Sequence, residues 1–169
     1  MKNIAIVGFM GTGKTTIARL LAERLDGDYV DIDELIEEKE KMKITEIFEA
    51  KGEPYFRRVE KNIVGEVSRE SGKIIACGGG VVLDEENIRN LKNNGVIVCL
   101  QARPEIILKR TKDYKHRPLL NVKDPRAKIN ELLEKRGPFY ARADFLLDTS
   151  DLKEEEVLGK IINWVKGKV

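Results

Sequence analysis

Gly8-Phe9-Met10-Gly11-Thr12-Gly13-Lys14-Thr15-Thr16 decides the reading of this chain. It follows the apolar run Asn3-Ile4-Ala5-Ile6-Val7 and leads into a pattern of Ile17, Leu20, Leu21 and Leu25 at helical spacing. The stretch fits G-x-x-x-x-G-K-[ST] in the strand, loop and helix context that gives the motif its meaning. Glycines let the backbone curl so that successive N–H groups point at phosphate oxygens, and the following helix presents its positive end. Gly11, Thr12, Gly13, Lys14, Thr15 and Thr16 are therefore expected to form a phosphate cradle. Lys14 is expected to bridge terminal phosphates, and the Thr15 hydroxyl to face Mg2+.

Outward from this loop, four more short runs read as strands: Tyr29 to Ile32, Lys73 to Cys77, Gly95 to Leu100 and Ala143 to Leu147. Most are near-continuous in Ile, Val, Leu and Ala, as expected where helices cover both faces of a sheet. Helical patterns lie between them, including Ile129, Leu132 and Leu133, and Val157, Leu158, Ile161, Ile162 and Val165. The alternation predicts a three-layer α/β domain on a five-stranded parallel sheet, with its ligand at the carboxyl ends of the strands. Two regions exceed a simple crossover. Residues from about 33 to 72 read as a helical acceptor-binding insertion. Residues from about 113 to 125, polar and carrying Pro118 and Pro125, read as a mobile lid.

At 169 residues the chain has room for one domain. With 31 basic and 29 acidic residues, the net charge of +2 gives no field to draw it to nucleic acid or a membrane. No run approaches the ~20 apolar residues of a membrane span, and the opening run is too short for a signal peptide, so a cytoplasmic address is expected. Cys77 and Cys99 sit in apolar runs and read as buried thiols; with the single His116 they argue against zinc. Neither Asp-x-x-Gly nor Asn-Lys-x-Asp occurs, which argues against a GTPase switch.

Asp31-Ile32-Asp33 closes the second strand run, and a period of two would put both carboxylates on one side. One would reach the Mg2+ shell and the other would accept a proton from an attacking hydroxyl. A plain helix cap made of surface aspartates is the alternative. Gly78-Gly79-Gly80 ends the third run and suggests either a tight turn or a ligand lying on bare backbone. Arg57, Arg58, Arg110, Arg117 and Arg136 lie in or beside the inserted regions, where bidentate grip on carboxylate or phosphate would be useful.

Taken together, these motifs closely resemble the shikimate kinase family. The carriers are Gly8 to Thr16 including Met10, Asp31-Ile32-Asp33, Phe56-Arg57-Arg58-Val59-Glu60, Gly78-Gly79-Gly80, Arg117-Pro118-Leu119-Leu120, and Arg136 with Tyr140 four residues on. They span almost the whole chain in family order. The resemblance implies a nucleoside-monophosphate-kinase-like P-loop fold over 1–169 and ATP-dependent phosphorylation of the shikimate 3-hydroxyl, a step of aromatic amino-acid biosynthesis. It implies ATP and Mg2+ held by Lys14 and Thr15, with Asp31 supporting the metal through water. Asp33 would bind the acceptor hydroxyl, and Arg57, Arg136 and Gly78 to Gly80 would form the shikimate pocket. Arg110 would lie on the adenine side, and Arg117 would reach the transferred phosphate. A monomer without nucleic-acid or membrane partners is expected. A gluconate-kinase-like or nucleotide-kinase activity stays open, as does a nucleotide-dependent regulatory module without turnover.

Overall fold

A computed structural model describes residues 1–112, 120 and 122–169. Its elements in chain order are β1 (Asn3–Gly8), α1 (Lys14–Leu25), β2 (Asp28–Asp31), α2 (Ile32–Glu40), α3 (Ile44–Lys51), α4 (Glu53–Ser68) and β3 (Lys73–Ala76). A 3-10 turn (Val81–Leu83), α5 (Glu85–Asn93), β4 (Gly95–Gln101), α6 (Pro104–Thr111), α7 (Pro125–Tyr140), β5 (Phe145–Asp148) and α8 (Glu154–Val165) follow. All five strands run parallel in the order β2-β3-β1-β4-β5. The central β1 is buried at every position, as its unbroken apolar run requires.

Period-two alternation splits the strand residues between two cores. Ile4, Ile6, Ile74, Ala76, Val98 and Leu100 pack on Ile17, Leu21, Leu158 and Ile161 of α1 and α8. Ala5, Val7, Ile75, Ile97 and Cys99 pack on the opposite face against Ile36, Ile47, Val59, Ile63, Ile88 and Ile129. The insertion helices α2 to α4 thus share their core with the sheet. Among the described residues two helices, α6 and α7, join β4 to β5, where the alternation alone suggests one.

The topology fixes where a ligand can sit. The chain leaves β1 for α1 on one face and leaves the adjacent β3 for α5 on the other, so a crevice opens between the carboxyl ends of β1 and β3. The loop Gly8 to Gly13 lies on one side of it and Gly78 to Gly80 on the other.

Candidate active site

Three glycines shape the loop after β1. Gly8, Gly11 and Gly13 have φ of 144°, 76° and 92°, values at which a Cβ strains the backbone. Space excludes a side chain as well: a Cβ at Gly8 would strike the Leu100 carbonyl, and one at Gly11 would lie 2.7 Å from Thr111 Cγ2. Thr12 is turned inward, and its hydroxyl donates to the Phe9 carbonyl at 2.7 Å, closing the loop on itself. Lys14, Thr15 and Thr16 remain on the open side. Lys14 Nζ donates to the same Phe9 carbonyl at 3.1 Å. Helix α1 begins at Gly13 with no side-chain cap and no acidic residue in its first turn. Its first N–H groups and its dipole are therefore available to an anion.

The two aspartates do not share a strand. β2 ends at Asp31, and Asp33 lies in the first turn of α2. Asp31 Oδ1 accepts from the N–H groups of Asp33 and Glu34, and its Oδ2 accepts from the Tyr29 hydroxyl at 3.1 Å. Asp31 is thus the N-cap of α2, which ends β2 one residue earlier than the apolar run suggests. The cap also turns Asp33 away from the strand's alternation and toward Gly78, where a Cβ would lie 2.9 Å from Asp33 Oδ1. Burial, then the Asp31 charge, push the Asp33 carboxyl up to about 6 against the pull of Lys14 and Arg57.

The three glycines after β3 each receive a different side chain. Gly78 faces Asp33 and Glu60, Gly79 faces Arg136 and Tyr140, and Gly80 lies against the Arg57 guanidinium. The bare backbone is needed for space: a Cβ on Gly80 would come 2.6 Å from Arg57 Cζ. Arg57 is fixed by Glu60 Oε2 at 2.8 Å and by Glu53 Oε1 at 3.3 Å. Neighbouring Arg58 instead stacks over Tyr55 at the surface, 5.1 Å from the ring centroid. Arg136 lies over Phe9 at 5.8 Å, linking the phosphate loop to the glycine run. The Tyr140 hydroxyl donates to the Gly79 carbonyl at 2.8 Å. Gly80→Ala should displace the Arg57 guanidinium, the movable end of a flexible side chain, without unfolding the protein. The expected result is a KM for an anionic acceptor raised ~10-fold, with a melting temperature within about 3 °C of the parent. An unchanged KM would show that Arg57 can shift without consequence.

Arg110 joins the other end of the crevice. Its Nη1 donates to the Thr149 hydroxyl at 3.2 Å and to the Gly11 carbonyl at 3.5 Å, and its Nη2 to the Thr149 carbonyl at 3.1 Å. It therefore ties the phosphate loop to the segment after β5. Arg117 and most of the lid expected at about 113–125 lie outside the described residues.

Among the described residues no three His, Cys, Asp or Glu side chains cluster as a metal cage. The Thr15 hydroxyl and the Asp31 carboxylate are donors of the kind Mg2+ takes, an ion that keeps several waters and is held by one or two protein groups together with phosphates. The Thr15 hydroxyl opens α1 on the exposed side of the loop, and Asp31 Oδ2, which accepts one hydrogen bond where Oδ1 accepts two, retains capacity for a water.

The sequence reading gave no role to Glu60, although it lies within a quoted motif. The available signal is its spacing: three residues after Arg57, it shares that residue's helix face, while Val59, Ile63 and Val64 bury the surrounding turns.

A family model described as shikimate kinase matches residues 10–166. The chain belongs to the shikimate kinase family. Among its relatives, the shikimate kinase of Caldanaerobacter subterraneus is 51% identical over 96% of this chain and 95% of its own. That of Thermodesulfovibrio yellowstonii is 49% identical over 96% and 94%. Among solved shikimate kinases, the Acinetobacter baumannii protein in complex with shikimate superposes with a TM-score of 0.93 at 36% identity, covering 99% of this chain and 94% of that one. The Aquifex aeolicus protein gives 0.86 at 35%, covering 98% and 97%. The five-stranded parallel sheet with its P-loop is thus a shikimate kinase fold.

Proposed function

We propose that this chain transfers the γ-phosphoryl group of ATP to the 3-hydroxyl of shikimate, giving shikimate 3-phosphate and ADP in the pathway to aromatic amino acids. One observation carries the assignment beyond family membership: Asp33, Arg57 and Arg136 converge on the same three glycines, directly across the crevice from the phosphate loop. A carboxylated polyol matches that set. The guanidinium groups answer its carboxylate and Asp33 answers a hydroxyl, whereas a neutral sugar would bring these two half-buried cations no counter-charge of its own.

In this reading the α1 N-terminus, Lys14, Thr15 and Thr16 hold the phosphates, with Gly11 to Gly13 supplying backbone N–H groups. Arg110 keeps the loop against the segment that lines the adenine. Thr15 and, through water, Asp31 hold Mg2+, which supplies neutralisation of phosphate charge when bound. Arg57 and Arg136 fix the acid so that its hydroxyl meets the Asp33 carboxylate, which orients the hydroxyl and takes its proton. Phosphoryl transfer asks mostly for positioning and charge balance, and both are provided by groups anchored on helices or strand ends. Arg117 is assigned to the transferred phosphate, within a lid that closes over both substrates and excludes water. A monomer working in the cytoplasm completes the proposal.

An ADP-release assay over shikimate, quinate, gluconate and nucleoside monophosphates tests the assignment. Turnover with shikimate far above the others is expected; preference for gluconate or a nucleotide overturns it. The carboxylate clamp has its own test. Shikimate methyl ester keeps every hydroxyl but loses the anion, so kcat/KM should fall at least ~10-fold, since charged hydrogen bonds contribute roughly 1.5–3 kcal/mol each. Arg136→Ala and esterification remove two ends of one interaction, so their penalties should be strongly non-additive. Simple addition would mean that Arg136 does not hold the carboxylate.

A further inference from the structure

Glu60 is buried to 1% exposure beside Gly78, yet only half of its carboxylate is used. Oε2 accepts from Arg57 Nη1 at 2.8 Å, while Oε1 is buried and has no hydrogen-bond partner among the described residues. The unpartnered oxygen points to the space that Gly78 leaves empty: a Cβ there would lie 3.4 Å from Glu60 Oε1 and 2.9 Å from Asp33 Oδ1. Two carboxylates from α4 and α2 thus meet across a glycine, with the Arg57 guanidinium as the cation bound to Glu60.

We propose that Glu60 takes up a proton when an anionic acceptor docks on Arg57, so that the acid and a proton bind together. The inference rests on the reading that a carboxylate docks on Arg57. An incoming carboxylate adds a second anion to a guanidinium already shared by Glu60 and Glu53, in surroundings that the ligand itself dries. Protonation at Oε1 relieves the repulsion while Oε2 keeps its bond from Arg57. The proton comes from the buffer acid, whose conjugate base remains in solution, and the bond formed is O–H on Oε1.

The groups facing Glu60 support this sign. Arg57 of its own helix favours the carboxylate; Asp33 of α2 and Asp84, the N-cap of α5 paired to Lys61, oppose it; Cys77 after β3 stays a neutral thiol, pushed up by burial. Burial dominates and lifts the Glu60 carboxyl to about 7, so it is only partly ionised near neutrality before any ligand arrives. Further negative charge on Arg57 raises it again. Affinity should therefore strengthen as pH falls through neutrality, because the bound state holds more protons than the free one.

Calorimetric titration of shikimate into the full chain, in buffers of different ionisation enthalpy, reads the proton count directly. If docking lifts Glu60 by about one pH unit, uptake near pH 7.5 is about half a proton per shikimate. Kd then rises roughly sixfold from pH 6.5 to 8.5. Glu60→Gln should still bind shikimate, with both the buffer dependence and the pH slope lost. Shikimate binding by the wild type without buffer dependence overturns the proposal and leaves the assignment of substrate intact. Uptake that persists unchanged in Glu60→Gln also overturns it, because the proton then resides elsewhere. Absence of shikimate binding overturns the substrate reading, and the proposal with it. Should the Gln variant fail to fold, carboxyl NMR of Glu60 in the wild type decides: its titration must move upward on adding shikimate.

Discussion

Lys14→Met is expected to lower kcat by at least ~10²-fold while the melting curve and circular dichroism stay those of the parent. The side chain is half-exposed and its ammonium rests on the Phe9 carbonyl, so it fills no core space that an unbranched Met would leave empty. What disappears is the one positive side chain that the loop presents beside the unblocked α1 N-terminus. The loss should appear in kcat more than in KM for the acid, since Arg57 and Arg136 are untouched. A variant keeping more than about a tenth of the parental kcat, a penalty under ~1.4 kcal/mol, would overturn the phosphate role. A second consequence follows from charge: Lys14 pulls the Asp33 carboxyl down, so its removal should shift Asp33 further upward.

The parts of this molecule written as periodic patterns could be read without coordinates. The β1 run, its glycine loop and the α1 pattern form one continuous stretch, and the loop's positive φ values fall on residues that are glycine for that reason. The parallel sheet follows from strands apolar on both faces. The failures lie where two local signals compete. Asp31-Ile32-Asp33 has strand spacing, yet the capping capacity of Asp31 wins and starts α2 one residue after it. Gly137 and Pro138, for which the sequence reading made no assignment, are carried inside α7, which runs on to Tyr140 although both residue types disfavour a helix interior. That continuation brings the Tyr140 hydroxyl to the Gly79 carbonyl.

Long-range convergence was legible only through motif order. Nothing local tells that Arg57 faces Gly80 while Arg58 faces Tyr55, because adjacent helical residues differ by about 100° and the apolar stripe leaves both at its margin. The buried Glu60 settles which arginine turns inward, and in the sequence only its place among Val59, Ile63 and Val64, three residues after Arg57, sets it apart from a solvated carboxylate. The same limit hides the Arg110 to Thr149 link, which joins residues 39 apart in the chain.

Asp33→Asn should separate catalysis from stability in opposite directions. The amide keeps the shape beside Gly78 but cannot take the acceptor's proton, so kcat should fall by roughly 10²-fold. A raised KM for the acid with unchanged kcat would reduce Asp33 to a binding group. Stability should move the other way. The folded protein holds the Asp33 proton up to about 6 against an ordinary value of 3.8. Folding therefore becomes less favourable as pH rises between those values, and the loss is complete above the upper one. At ~1.4 kcal/mol per unit this reaches about 3 kcal/mol at most, a penalty that Asn does not carry. The variant should accordingly melt roughly 3–8 °C higher at pH 8, and the difference should close as the pH approaches 4. A residue kept only to hold the crevice together would lose stability when replaced; one kept ionised in a dry pocket for chemistry gains it. Equal melting temperatures at both pH values would mean that water reaches Asp33 freely, and the proposed activation of the hydroxyl would lose its physical basis.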